Sequence, residues 1–291
     1  MKMKRITLTT LLLGLGLWLM AQPETDIYLL ELDVPLDSTW TAGPPPRNLT
    51  PRQGYDNQPH FTPDGRYLLF VSMDDQQQTD VFRHDLQRNA TERLTNTRRR
   101  SEYSPTVVPS GEGFSAIVVE EDGTQRLWYF AWGDDRGEVL MDKLTNVGYH
   151  VWYHPKRLGM FVLGEPPTLE VAHRRWQRPK VLADSIGRCL QPIPGAERAF
   201  SYVDKSQESW RIMRWDARSK QAVEVAPCLP GSEDYAWTAA GRLLMAQGGT
   251  LYQFDPASDQ GWQVLVNPGL GRITRLAISP DRRYLALVVE N

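Results

Sequence analysis

Short apolar runs recur along this chain at strand length rather than helix length. Tyr67-Leu68-Leu69-Phe70-Val71, the strand-like Phe114 to Val119, and Tyr284 to Val289 are near-continuous apolar segments. Such runs suit strands covered on both faces by neighbours. Each follows a turn signal: Pro63-Asp64-Gly65, Pro109-Ser110-Gly111 or Ser279-Pro280-Asp281. Proline fixes φ, and Asp and Gly tolerate turn geometry, so each unit reads as two strands joined by a tight turn. No amphipathic helix of length appears beyond the N-terminal segment.

The pattern repeats. The clearest copy runs Asn48-Leu49-Thr50, Asp56-Asn57-Gln58-Pro59-His60-Phe61-Thr62-Pro63-Asp64-Gly65-Arg66, a strand to Ser72, then Asp80-Val81-Phe82-Arg83-His84-Asp85-Leu86, and Arg93-Leu94-Thr95 begins it again. A second copy keeps Ser104-Pro105-Thr106-Val107-Val108-Pro109, and a third begins at Lys143-Leu144-Thr145 and keeps Pro155. With the turn proline as marker, Pro63, Pro109, Pro155 and Pro194 are followed by Ala239 in the equivalent slot and by Pro280, at steps of 46, 46, 39, 45 and 41. That period fits a propeller blade of four strands, and six markers predict a six-bladed all-β propeller spanning 22–291. Aromatics recur in the third strand of the units (Tyr28, Phe82, Trp128 to Phe130, Trp210, Trp215, Tyr252, Phe254) and are expected to pack between blades. The last copy, Ile273 to Asn291, stops after two strands, while Asp26 to Leu32 resembles a third strand and Arg47 to Thr50 a fourth. The N-terminal strands are therefore expected to complete the last blade, which leaves no open sheet edge.

The words Asp56 to Arg66 and Leu276-Ala277-Ile278-Ser279-Pro280-Asp281 resemble the WD40-like Pro-Asp repeat of TolB-type propellers. In the third to fifth units, Pro155-Lys156, Pro194-Gly195 and Ala239-Ala240-Gly241 stand where Pro-Asp-Gly would be. The resemblance implies a periplasmic propeller whose channel mouth receives a protein or peptide. Neither the separate N-terminal α/β domain of TolB nor the hydrolase domain of the prolyl oligopeptidase-like enzymes has room here.

The N-terminus places Lys2, Lys4 and Arg5 before an apolar run from Ile6 to Met20, then turns polar after Ala21. That order reads as an export signal over residues 1–21 and predicts a periplasmic or secreted protein. The run is shorter than the roughly twenty residues that cross a bilayer, and nothing similar follows it. A net charge of −2 gives no global basic footprint for nucleic acid. Cys189 and Cys228 permit one disulfide or two separately buried thiols, and no Cys-x-x-Cys metal site.

Motifs that carry chemistry are missing: there is no Gly-x-Ser-x-Gly elbow, His-Glu-x-x-His, phosphate loop or EF-hand loop. A propeller can still build a site from single residues of several blades. The slot five residues before each marker holds Gln58, Ser104, His150, Cys189, Asp234 and Arg275. This ring is expected at the channel mouth as a ligand-binding set, with no cofactor called for, able to orient a peptide terminus or a small polar ligand. His150 and Asp234 suggest a metal, but a third ligand is wanting in the slot. Lactone-hydrolysing propellers with an axial metal define the enzymatic alternative, a hydrolase of small esters or lactones. Arg52, Arg98 to Arg100, Arg188 and Arg272 precede the innermost strands and would form a basic face, unless Asp56, Glu102, Glu233 and Asp234 on the same side neutralise it. The segment His173 to Arg178 is expected as a surface loop at the opposite end of its blade.

Overall fold

A computed structural model describes residues 22–32 and 44–291; the export signal expected over 1–21 lies outside the described residues. The described chain is all β. Its first two strands are β1 (Thr25–Glu31) and β2 (Arg47–Asn48). Blade 1 follows as β3 (Asp56–Phe61), β4 (Tyr67–Met73), β5 (Thr79–Asp85) and β6 (Ala90–Arg93). Blade 2 is β7 (Ser101–Val107), β8 (Gly113–Val119), β9 (Gln125–Ala131) and β10 (Glu138–Val139). Blade 3 is β11 (Val147–His154), β12 (Arg157–Val162), β13 (Thr168–His173) and β14 (Lys180–Asp184). Blade 4 is β15 (Ile186–Pro192), β16 (Ala199–Asp204), β17 (Arg211–Asp216) and β18 (Gln221–Pro227). Blade 5 is β19 (Tyr235–Trp237), β20 (Leu243–Gln247), β21 (Thr250–Phe254) and β22 (Gln263–Val266), and β23 (Arg272–Ile278) with β24 (Tyr284–Glu290) begins blade 6.

Blade 6 has the strand order β2-β1-β24-β23, so the ring closes with two strands from each end of the described chain. The seam is antiparallel along its full length, from Thr25 opposite Glu290 to Glu31 opposite Tyr284. Each marker turn sits between the first and second strands of its blade. Gly65 N–H donates to Thr62 O at 2.9 Å with Gly65 at φ 68°, a conformation that costs glycine nothing. The fifth unit lost its proline but kept the anchor: Gly241 N–H donates to Thr238 O at 2.9 Å, and buried Thr238 Oγ1 accepts from Arg242 N.

The core is divided among the junctions between blades. Six clusters of buried apolar residues each straddle two adjacent blades. Third-strand aromatics reach across junctions as expected: Trp215 meets Tyr153 of blade 3 edge-on at 5.7 Å, and Phe130 lies in the blade 1–2 cluster. At the blade 3–4 junction Phe200 lies so close to Gly159 that a Cβ there would sit 2.8 Å from the ring. Cys189 and Cys228 are free thiols within the blade 4–5 cluster.

Candidate functional site

Regular pairing breaks at or just before the predicted slot in five of the six innermost strands. In β3 and β7 the irregularity falls between Asn57 and His60 and between Tyr103 and Thr106, with Gln58 and Ser104 at φ 58° and 52°. In β11, β15 and β23 it falls between Val147 and Tyr149, Ile186 and Leu190, and Ile273 and Arg275. In blade 5 the innermost strand begins only at Tyr235, one residue after Asp234. A bulge breaks the strict inward and outward alternation of a strand. Consecutive residues can then both reach the channel, as Tyr149 and His150, Arg188 and Cys189, and Glu233 and Asp234 do.

The channel holds two chambers. All six slot residues line the one at the marker-turn end, a cavity of about 500 Å³ walled by Pro59, Pro105 and Pro192 together with Trp152 and Trp237. The other, of about 340 Å³, is polar and is lined by Tyr55, Asn57, Ser232, Glu233, Arg272 and Glu290 among others. Tyr149, Arg188, Asp234 and Arg275 line both, so they form the partition. Arg188 Nη2 lies 2.7 Å from Asp234 Oδ2, and Arg275 Nη1 lies 3.7 Å from Asp234 Oδ1. Arg275 Nη2 also donates to Tyr149 Oη at 2.8 Å. Arg188 reaches Glu233 at 3.5 Å, and Lys205 Nζ meets the same carboxylate at 2.9 Å. Three cations against two carboxylates leave one surplus positive charge. Burial pushes the nearby Tyr55 phenol up, against the opposing pull of Arg275.

The slot residues are not equivalent. Asp234 and Arg275 meet, as their opposite charges suggest. Gln58 bridges to the next blade, its Oε1 accepting from Ser104 N at 2.6 Å. The His150 ring turns into the blade 2–3 junction, with Nε2 2.7 Å from Ser115 Oγ. That hydroxyl also accepts from Trp152 Nε1 at 2.9 Å and donates to Thr106 O at 3.2 Å. With its one proton committed there, the serine takes the His150 Nε2–H as its second incoming bond. Nδ1 is then an unpartnered acceptor. Burial, with His60 nearby, drives the His150 pKa down to about 3, and burial takes His60 to about 4. Cys189 Sγ is likewise turned toward Tyr235, accepting from its N–H at 3.4 Å, and burial pushes the thiol up. His150 and Cys189 therefore present little polar surface to the chamber.

The expected basic face is neutralised at four of its six arginines. Arg52 pairs with Asp56 at 3.0 Å, Arg99 with Glu121 at 2.6 Å, Arg188 with Asp234, and Arg272 with Glu290 at 3.1 Å. An axial metal does not fit these residues. Asp234 is held between two guanidinium groups, His150 Nε2 is committed to Ser115, and among the described residues no three His, Cys, Asp or Glu side chains gather as a ligand set. Tyr149 and Tyr55 carry no repeat word and escaped the sequence reading; for Tyr149 the residue before the slot was the signal, since Arg188 and Glu233 occupy that position too, while Tyr55, three residues before Gln58, left none.

No protein-family model and no curated protein matches the chain. Solved structures do. A structure from Agrobacterium tumefaciens assigned to TolB superposes with a TM-score of 0.66 at 13% identity, covering 93% of this chain and 99% of that one. TolB of Acinetobacter baumannii gives 0.60 at 12%, covering 91% and 63%. A gluconolactonase of Xanthomonas campestris gives 0.65 at 11%, covering 93% and 98%. TolB-type structures and a gluconolactonase thus share this architecture at similar distance, and the likeness establishes the six-bladed propeller alone.

Proposed function

We propose that the chain is an exported scaffold that binds without bond chemistry: it holds a protein, peptide or small polar ligand in its channel. The observation that carries this reading is the partition of Tyr149, Arg188, Asp234 and Arg275, a set of fixed polar groups reachable from both chambers. Rigid strands hold these groups in place before a ligand arrives, which lowers the ordering cost of association. The surplus positive charge suits an anionic group, such as the carboxylate end of a peptide, entering beside Arg188 and Arg275. The basic and apolar order of residues 1–21 supports export to the periplasm or beyond.

The test compares Asp234→Ala, Arg275→Ala and the double variant for capture of partners from a periplasmic extract at fixed salt. Capture should fall in all three. Asp234→Ala should cost the most stability, because it leaves two guanidinium groups without their shared carboxylate, and the double variant should recover part of that loss. Retention of the same partners by the double variant would place binding elsewhere. A stoichiometric, tightly held divalent ion in the purified protein would instead favour the hydrolase.

A further inference from the structure

The marker-turn end of blade 3 carries a charge distribution unlike the rest of the surface. Two turns meet there: β11 to β12, through Lys156, and β13 to β14, through Arg174 to Pro179. Arg174 N–H donates to Lys156 O at 2.9 Å, and Arg157 pairs across the sheet with His173. Lys156, Arg157, Arg174, Arg175, Arg178 and Lys180 are all exposed. Residues 154–163 and 171–183 contain no Asp or Glu. None of the six cations has a carboxylate within 4.0 Å among the described residues. Many surface arginines elsewhere are matched, as Arg126 is with Glu120, Arg136 with Asp134 and Arg211 with Asp204. Asp142 is the acid drawn closest by the loop contacts, since its N–H donates to Gln177 Oε1, but Lys143 makes the same contact and offsets it.

Apolar groups stand among these charges. Trp176 is 61% exposed and Val181 56%. The indole is not loose: it stacks on His173 with centroids 4.1 Å apart at 20°. A purely phosphate-binding surface has no use for an outward tryptophan and valine. Cations reaching headgroup phosphates around an amphipathic ring at the boundary with the acyl chains do require that combination.

We propose that this end of blade 3 docks on a bilayer surface bearing anionic phospholipid headgroups, with Trp176 at the interface. The six cations supply the attraction, which is screened by salt and falls off within a Debye length. Docking there would orient the proline-walled chamber, which opens at the same end of the blades, toward the membrane.

The test is co-sedimentation of the full chain with phosphatidylcholine vesicles, with and without phosphatidylglycerol. Comparison within one background cancels any contribution from residues 1–21. The parent should bind the phosphatidylglycerol vesicles more tightly than the neutral ones and lose that difference in high salt. Arg174→Glu with Arg175→Glu should weaken binding by roughly a hundredfold or more, since two cations become two anions and the patch loses about four units of net charge. Trp176→Ala should weaken it several-fold, and Trp176→Phe should reduce quenching by brominated acyl chains. Melting temperatures of all variants should match the parent, because no intramolecular ion pair is removed; Lys156→Glu with Arg178→Glu serves as a second charge reversal should the first misfold. Unchanged vesicle binding in either charge reversal, or unchanged quenching in Trp176→Phe, would overturn the proposal. Binding to heparin without binding to vesicles would also overturn it, and would make the patch a polyanion site.

Discussion

The junctions on either side of blade 1 and those on either side of the drifted blades are fastened differently. At the blade 1–2 junction, Thr95 Oγ1 accepts from Val81 N at 2.8 Å and lies 3.0 Å from Glu102 Oε2, with Asp80 beside it and Arg93 on Asp80. The blade 6–1 junction repeats the plan: Thr50 Oγ1 accepts from Ile27 N at 2.9 Å, near buried Asp26 and Asp56. At the blade 2–3 and 4–5 junctions a serine takes over. Ser201 Oγ accepts from Tyr235 Oη–H at 2.7 Å and Trp237 Nε1–H at 2.8 Å and donates to Gln191 O, as Ser115 does with His150, Trp152 and Thr106. The recognisable words Asn-Leu-Thr and Arg-Leu-Thr thus belong to acid and threonine clasps. Where the word is lost, or where it survives as Lys143-Leu144-Thr145 with an exposed threonine, a neutral latch stands instead, in which a single hydroxyl satisfies two buried donors. The fold depends on fastening each junction, not on one way of doing so.

The largest expected effect tests the seam that makes the blade 6–1 junction possible. Deleting Asp26 to Leu32 removes the strand between β24 and β2 and, with it, the core side chains of Ile27, Leu29 and Leu30, all nearly fully buried. Burial of three such side chains is worth about 5 kcal/mol or more, a large part of a domain's stability. The variant should melt at least about 10 °C below the parent or fail to fold. Differential scanning calorimetry checks this, and a transition within a few degrees of the parent would refute the closure.

The latches come next. Ser201→Ala leaves the fully buried Tyr235 hydroxyl and the Trp237 indole N–H without their acceptor. Each orphaned buried group costs about 1–3 kcal/mol, so urea denaturation should show a loss of about 2–4 kcal/mol. Ser115→Ala should behave alike through Trp152 and His150. If both alanine variants are as stable as the parent, the latches are incidental to the junctions.

What could be read from the sequence follows the same division. Turn words and apolar runs are local, so the blade count, the closure and the channel ring were legible from spacing. The direction of each ring side chain was not, because a bulge re-aims it and the bulge depends on pairing with the neighbouring strand. Gln58, Ser104, His150, Cys189, Asp234 and Arg275 share one chamber, yet His150 and Cys189 face their junctions. The latches join residues 34 to 37 positions apart, and no repeat word marks them. A serine in the second strand followed at that interval by tryptophan is the trace they leave.

The smallest effect separates the two fastenings by pH. Burial pushes the fully buried Glu102 carboxyl up to about 8, with the Thr97 and Thr95 hydroxyls opposing and Asp80 adding to the rise. Between its ordinary value of 4.5 and about 8, the folded protein holds a proton that the unfolded chain has released. Stability from this group is therefore complete below 4.5 and declines as pH rises toward 8. His60 and His150 act in the opposite sense: both stay neutral in the fold, so their contribution is full above 6.5 and is lost as pH falls toward 4 and 3. Across the window from 6.5 to 8 both histidines stay neutral in the fold, and the charge they still lose in the unfolded chain is common to parent and variant, so the difference between the parent and a variant that cannot ionise at Glu102 isolates the acid clasp. The parent should lose stability across that window with a slope of at most about 1.4 kcal/mol per pH unit. Glu102→Gln keeps the shape and an acceptor for one threonine hydroxyl but cannot ionise, so its stability should be flatter in that window. Urea midpoints at pH 6.5 and 8 check the difference. Parallel profiles for parent and Glu102→Gln would mean that the carboxyl is ionised in the fold, and that the clasp is an ionic fastening rather than a protonated one.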